Sequence, residues 1–282
     1  MKNKISIVGV LLKIIKFAVL TIFLCVMLAP FIWMILTSIQ PTQEEIFAFP
    51  VKYFTDRPSL VNYRRMLLES GFGRNILNSV IVSGCAGLLA VTIGLLAAYA
   101  IARFKFRAKS LVMAFFLFTQ LLPMFLLLAP LYDLLSKLKL INNLFGLILV
   151  YTAMMIPFSV VTLIGFLKSA PKSIEEAAQV DGVGRVRALF TVIIPVVLPG
   201  ITTTFIFSFV NCWNELFAAN MFIHDDALKT IPVKMNAFIQ QYNVKWGEMA
   251  AGTIMSVIPS AVLYIFAQKY FADGLSAGAV KG

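Results

Sequence analysis

Residues 169–200 read SAPKSIEEAAQVDGVGRVRALFTVIIPVVLPG, and the organisation of the chain is worked out from this stretch. Ser173 followed by Glu176 has the spacing of a capping box, in which a hydroxyl and a carboxylate satisfy backbone N–H groups at a helix start. The spacing predicts a short helix beginning near Ile174. Glu175 and Glu176 fall in its first turn, where the helix dipole favours negative charge. Gly182 is placed to stop it, because glycine takes the left-handed conformation just past a helix end. Gly184 adds a second loose point before the next helix. Ile174, Ala177 and Ala178 make a low-profile face. From the residues alone, that face either docks into a groove on a partner or lies on a bilayer.

Charge-free runs flank this stretch at 140–167 and 188–214, and four more lie further out, at 17–43, 75–102, 110–132 and 249–268. A membrane-crossing helix needs about 20 mostly apolar residues, and all six runs match or exceed that. The fifth is expected to continue past Glu215 to about Met221. The first follows Lys13 and Lys16 but is too long for a signal-peptide core and lacks a small-x-small cleavage site, so it reads as an uncleaved span. In the second, Ala86, Ala90, Gly94, Ala98 and Ala102 recur every four residues, a stripe that lets another backbone approach closely.

Sixty per cent of the 282 residues are hydrophobic and 13% are charged, against about a quarter charged in an ordinary soluble domain. That balance excludes a soluble globular protein and a disordered one. Cys25, Cys85 and Cys212 stand singly in apolar runs, which excludes a disulfide framework or a zinc site, and His224 is the only histidine, which excludes a histidine-based catalytic centre. No catalytic residue and no metal ligand is assigned. The net charge of +11 is distributed between the apolar blocks, as an orientation signal would be. With the N-terminus inside, the inner segments hold fourteen Lys and Arg and the outer ones ten, while acids number four inside and eight outside. The densest basic segment, Arg103 to Lys109, contains no acid. The expectation is a multi-pass protein of the cytoplasmic membrane, both termini cytoplasmic.

Within the spans, Asn211, Asn214 and Glu215 share a helical face at i, i+3 and i+4, with Trp213 and Phe217 nearby. Ionisable groups at such depth usually face a cavity or a partner. Amides, a carboxylate and aromatic rings suit a polyol, so these residues are candidates for a solute path, with Gln120 and Asn78 as weaker ones. Hydrogen bonding between helices explains the same residues equally well.

Glu176-Ala177-Ala178, three residues, Gly182, nine residues and then Val192-Ile193-Ile194-Pro195 resembles the EAA loop of ABC importer permeases. The family prefers Ile-x-Leu-Pro at the end, so Val192 and Ile194 are conservative departures. Phe207 to Glu215 (FSFVNCWNE), Trp246-Gly247 and the ending Tyr270 to Gly282 are similar to the carbohydrate-importer branch, and the ending to the maltose-type partner permease. The resemblance covers 70–282 well and 1–69 only in layout. It implies an all-α, six-helix type I importer fold: an N-terminal helix and extracytoplasmic segment over 1–69, a core over 70–271 with a coupling loop at 169–195, and a tail over 272–282.

The resemblance also implies roles. Ser173, Glu175, Glu176, Ala177, Ala178, Asp181, Gly182 and Pro195 would couple to an ATPase, and Gly278, Ala279, Val280 and Lys281 would enter the ATPase interface. The implied partners are a second homologous permease, an ATPase dimer and an extracytoplasmic binding protein docking on 40–74 and 222–248. The sequence has no Gly-x-x-x-x-Gly-Lys-Ser/Thr loop, the usual phosphate cradle. No cofactor is therefore expected in this chain, ATP and magnesium being used by the partner subunits, and the chain is expected to be no enzyme. The expected function is carbohydrate import. The alternatives are an ABC permease for another solute class and an ion-coupled secondary transporter. The latter calls for buried charge pairs in several spans, where the sequence offers only Glu215.

Overall fold

A computed structural model describes residues 7–239 and 244–279. All regular elements among them are helical. In chain order these are α1 (Ile7–Ser38), α2 (Gln43–Ile46), α3 (Val61–Arg64), α4 (Phe72–Arg103), α5 (Lys109–Thr119), α6 (Met124–Lys137) and α7 (Leu144–Ser169). There follow α8 (Lys172–Val180), α9 (Arg185–Ala188), α10 (Ile194–Asn214), α11 (Phe217–Phe222), α12 (Ile231–Ile239) and α13 (Trp246–Ala279).

Five stretches among the described residues are long and apolar enough to cross a bilayer: Leu11–Ser38, Phe72–Arg103, Leu144–Ser169, Arg185–Asn214 and Trp246–Phe266. The interval 110–132, expected as one span, is instead α5 and α6, bent by 98°. Pro123 causes the break. It has no N–H to donate and disfavours helix at the residue before it, and its own backbone is extended at ψ 129. Counted as one bent span, the pair brings the number to six.

The span Arg185–Asn214 carries a π-helical turn at Leu189–Ile193 between α9 and α10. Pro195 lies just beyond it. A proline cannot donate to the carbonyl four residues back, and the wider π turn absorbs the missing bond. The span also stops earlier than expected: α10 ends at Asn214, and Glu215 is extended at ψ 124.

The chain divides into two compact units, the first up to Ser70 with Phe238–Met255, the second Gly71–Ala237 with Ser256 onward. In the first, buried Asn62 donates to the carbonyls of Ser38 (3.0 Å) and Gln40 (2.8 Å). Gln43 donates to the carbonyl of Val244 at 2.6 Å. A β-carbon on Gly247 would lie 2.6 Å from Asn62 Nδ2, so the Trp246-Gly247 pair owes its glycine to this contact.

The second unit is built on α4, α7 and α10. Ala86, Ala90, Gly94 and Ala98 of α4 are buried. A β-carbon on Gly94 would come within 2.6 Å of α7, and one on Gly200 of α10 within 2.3 Å of Phe166. Small residues therefore set the helix spacing, as is usual where no hydrophobic force separates helix from lipid.

A polar knot holds the segment after α11. Asn75 donates to the carbonyl of Lys229 (2.9 Å), and Asn142 Oδ1 accepts from the amides of His224 (3.0 Å) and Asp225 (2.9 Å). Asp226 accepts from Lys229 Nζ (2.8 Å) and Lys234 Nζ (2.5 Å). These two hydrogen bonds, Lys229 first, hold its carboxyl below the ordinary value of 3.8.

Candidate functional site

Two places in the second unit gather the residues singled out in the sequence. The first is α8. Its cap is Pro171, extended at φ −59 and ψ 134, so the helix starts at Lys172 and Ser173 lies inside its first turn. No side chain caps this end. The expected capping box is therefore not formed, because the proline fixes the helix start two residues before Ile174. The other end is as expected. Gly182 has φ +80, its N–H donates to Gln179 O (3.1 Å), and Val183 N–H donates to Ala178 O (2.9 Å). This is the paired bonding of a Schellman motif, with Asp181 as the exposed C-cap.

The two glutamates of α8 face opposite ways. Glu176 is exposed, as are Ser173, Ala177, Gln179 and Val180. Glu175 and Ala178 are buried against the chain itself. The expected face of Ile174, Ala177 and Ala178 is thus split, since Ala177 points out and Ala178 in. Glu175 Oε2 lies 2.9 Å from Arg103 Nε, with both side chains under a tenth exposed. The N–H is not aligned for a hydrogen bond, so the contact is an ion pair. Tyr99 donates its hydroxyl proton to Glu175 Oε1. Arg103 also donates to Ala170 O at 3.2 Å, at the end of α7. Arg185, beyond α8, stands over the Phe104 ring at 5.5 Å, and Phe104 meets Tyr99 edge-on at 6.1 Å. A cavity of about 200 Å³ opens beside the cluster, between Lys172, Glu176, Gln179 and Arg185. Nothing in the local sequence separates Glu175 from Glu176; helix phase against Tyr99 and Arg103 does.

The second place is the break after α10. Glu215 folds back over the start of α11, accepting from the amides of Ala218 (2.9 Å) and Ala219 (3.2 Å) and from the Tyr151 hydroxyl (2.6 Å). A cavity of about 370 Å³ is lined by Asn211, Asn214, Glu215, Phe217, Met124 and Met154. Asn211 and Asn214 each donate to their own helix, at Phe207 O (2.8 Å) and Val210 O (2.9 Å), leaving the other amide atom for a ligand.

Trp213 is not with them. It is buried and stacked on Phe209 at 5.5 Å, on another face of α10. Nor is Asn78, which donates to the carbonyls of Ala227 (2.9 Å) and Lys229 (3.1 Å) and belongs to the polar knot. Gln120 sits in the break between α5 and α6 and lines a larger, mainly apolar cavity of about 710 Å³, which shares Met124 and Met154 with the first. Those two methionines were not singled out in the sequence; the only signal for them was Pro123. The backbone of α13 reaches Ala279, so Gly278 and Ala279 are helical, whereas Val280 and Lys281 lie outside the described residues.

The family described as "Binding-protein-dependent transport system inner membrane component" matches residues 90–276. The sulfoquinovosyl glycerol transport system permease protein SmoH of Agrobacterium fabrum is 33% identical over 270 residues, covering 96% of this chain and 94% of that protein. The trehalose/maltose transport system permease protein MalG of Thermococcus litoralis is 32% identical, covering 94% of this chain and 95% of that protein. A chain in the crystal structure of a bacterial ABC transporter that imports the acidic polysaccharide alginate superposes with a TM-score of 0.83. It is 21% identical, covering 96% of this chain and 100% of that one.

Proposed function

The chain belongs to the binding-protein-dependent transport system inner membrane components, and from that premise we propose that it carries a sugar or oligosaccharide into the cytoplasm. It is a membrane-spanning permease subunit of an ABC importer. The carbohydrate reading rests on near full-length similarity to permeases named for sulfoquinovosyl glycerol, trehalose and maltose. The amide-lined cavity beside Glu215 is compatible with it, with Asn211 and Asn214 as hydrogen-bonding groups along the path.

Both termini face the cytoplasm in this reading, as the distribution of basic residues favours. The segments 44–74 and 222–248 then face outward, toward the binding protein, and α8 faces the ATPase subunits, which bind ATP and magnesium. Closure of the ATPase dimer moves α8, and the attached spans turn as rigid bodies to expose the cavity outward. The observation that carries this is α8 itself: a short helix fixed to its own chain on one side and presenting Glu176, Ala177 and Val180 on the other. The tail at Gly278, Ala279, Val280 and Lys281 is assigned to the ATPase interface by resemblance.

Two measurements test the proposal. Cysteine at Ala177 or Val180 should crosslink to the ATPase subunit in the assembled complex; labelling of these positions only from the extracellular side would overturn the coupling role. Uptake into proteoliposomes with the cognate binding protein should be seen with labelled mono- or oligosaccharides. Uptake confined to polyamines or inorganic anions would overturn the solute class.

A further inference from the structure

We propose that Glu175, held by Arg103 and Tyr99, is the attachment through which α8 drives α4, so that α8 and the C-terminal end of α4 move as one body. The proposal rests on the coupling role of α8 given above and adds a division of labour: Glu176 faces the partner and Glu175 faces inward.

Three observations carry it. First, the Glu175–Arg103 pair is almost wholly buried. Separating such a pair strands a charge away from water, so the contact resists being pulled apart. Second, every attachment found lands on one end of α4. Tyr99 and Arg103 are one helical turn apart on the same face, and Arg185 clips the far side of the α8 loop to Phe104. Arg103 adds the end of α7 through Ala170 O. The covalent chain at Ala170–Pro171 already joins α8 to α7, so Glu175 supplies the separate connection to α4. Third, α4 has no slack to absorb a push. Gly94 abuts Ser159 of α7, and Gly87 abuts Phe205 and Phe209 of α10. Arg103 and Tyr99 are positioning residues in this scheme.

The test measures distance without needing the solute. Cys25, Cys85 and Cys212 are replaced by serine in the complete importer, and spin labels are placed at Val180 on α8 and Leu96 on α4, both exposed. Double electron–electron resonance compares the nucleotide-free and ATP–vanadate-trapped complexes. In the parent the distance should be the same in both states. In Glu175→Ala it should shift or broaden on trapping, and stimulation of ATP hydrolysis by the binding protein should fall roughly tenfold, within the usual range of coupling between sites. Tyr99→Phe and Glu175→Gln should give intermediate broadening, and they carry the test if Glu175→Ala fails to assemble. A parent distance that changes with nucleotide, or variants as fixed as the parent, overturns the proposal. A third label on the ATPase separates the two readings: if it never approaches Val180 in the parent, the coupling role of α8 fails first.

Discussion

Ser159 stands so close to Gly94 that a β-carbon on the glycine would lie 2.6 Å from Ser159 Cβ and 3.3 Å from the backbone of Ser159 and Val160. Backbone cannot swing aside as a side-chain tip can. Gly94→Ala is therefore expected to lower stability by roughly 1–3 kcal/mol through overpacking. Gly84→Ala, with nothing within 4 Å, should gain up to about 1 kcal/mol from helix propensity. Thermal unfolding of the two variants in detergent should move in opposite directions.

Gly182 has open space around it but φ +80. Gly182→Ala should cost about 1–2 kcal/mol from the left-handed backbone alone. The loss should be local, read as faster amide exchange at Gly182 and Val183, whose N–H groups close the helix end.

Glu215 and Asn211 line one cavity but are expected to fail differently. Glu215→Ala strands the Tyr151 hydroxyl and two amides of α11, at about 1–3 kcal/mol for each buried group left unmade, and should lower the yield of folded protein. Asn211→Ala removes an exposed amide and should leave the yield near the parent while uptake falls. Equal yields for both variants would return Glu215 to the solute path as its main role.

Asp226 links the polar knot to pH. Its folded value is depressed below 3.8 by Lys229 and then Lys234. A depressed carboxylate stabilises the fold fully above its unfolded value, and the contribution is lost as pH falls through the folded one. Protection of the amides in 224–230 should thus hold at pH 5 and decline below about 3.8. Asp226→Asn should remove that step, and added salt should shrink it because the carboxylate is largely exposed.

The spans were legible because a charge is costly at bilayer depth, so uncharged runs mark them directly. Where a run breaks was not. Pro123 reads as a kink inside 110–132, and only the packing of α5 and α6 turns it into a 98° corner. The stop at Gly182 was legible because a left-handed residue is a local demand. The start at Ser173 was misjudged because Pro171 imposes its own backbone angle, overriding a side-chain cap. Which glutamate faces inward depends on Tyr99 and Arg103, far away in sequence. The same holds for Trp213, expected beside Asn211 and Asn214 but stacked on Phe209. Spacing along a helix gives relative faces; only the neighbours decide which face looks into a cavity.

The π turn at Leu189–Ile193 has a bearing on how the chain tolerates length change. It holds one residue more than an α turn would, and each residue advances a helix by about 100°. Deleting a single residue there would rewind the stretch to ordinary pitch and rotate everything after it by that angle. Asn211 and Asn214 would then swing off the cavity wall while the span kept its length and greasiness. A one-residue gap at this point is thus a change of azimuth in the permease, invisible to any count of hydrophobic residues.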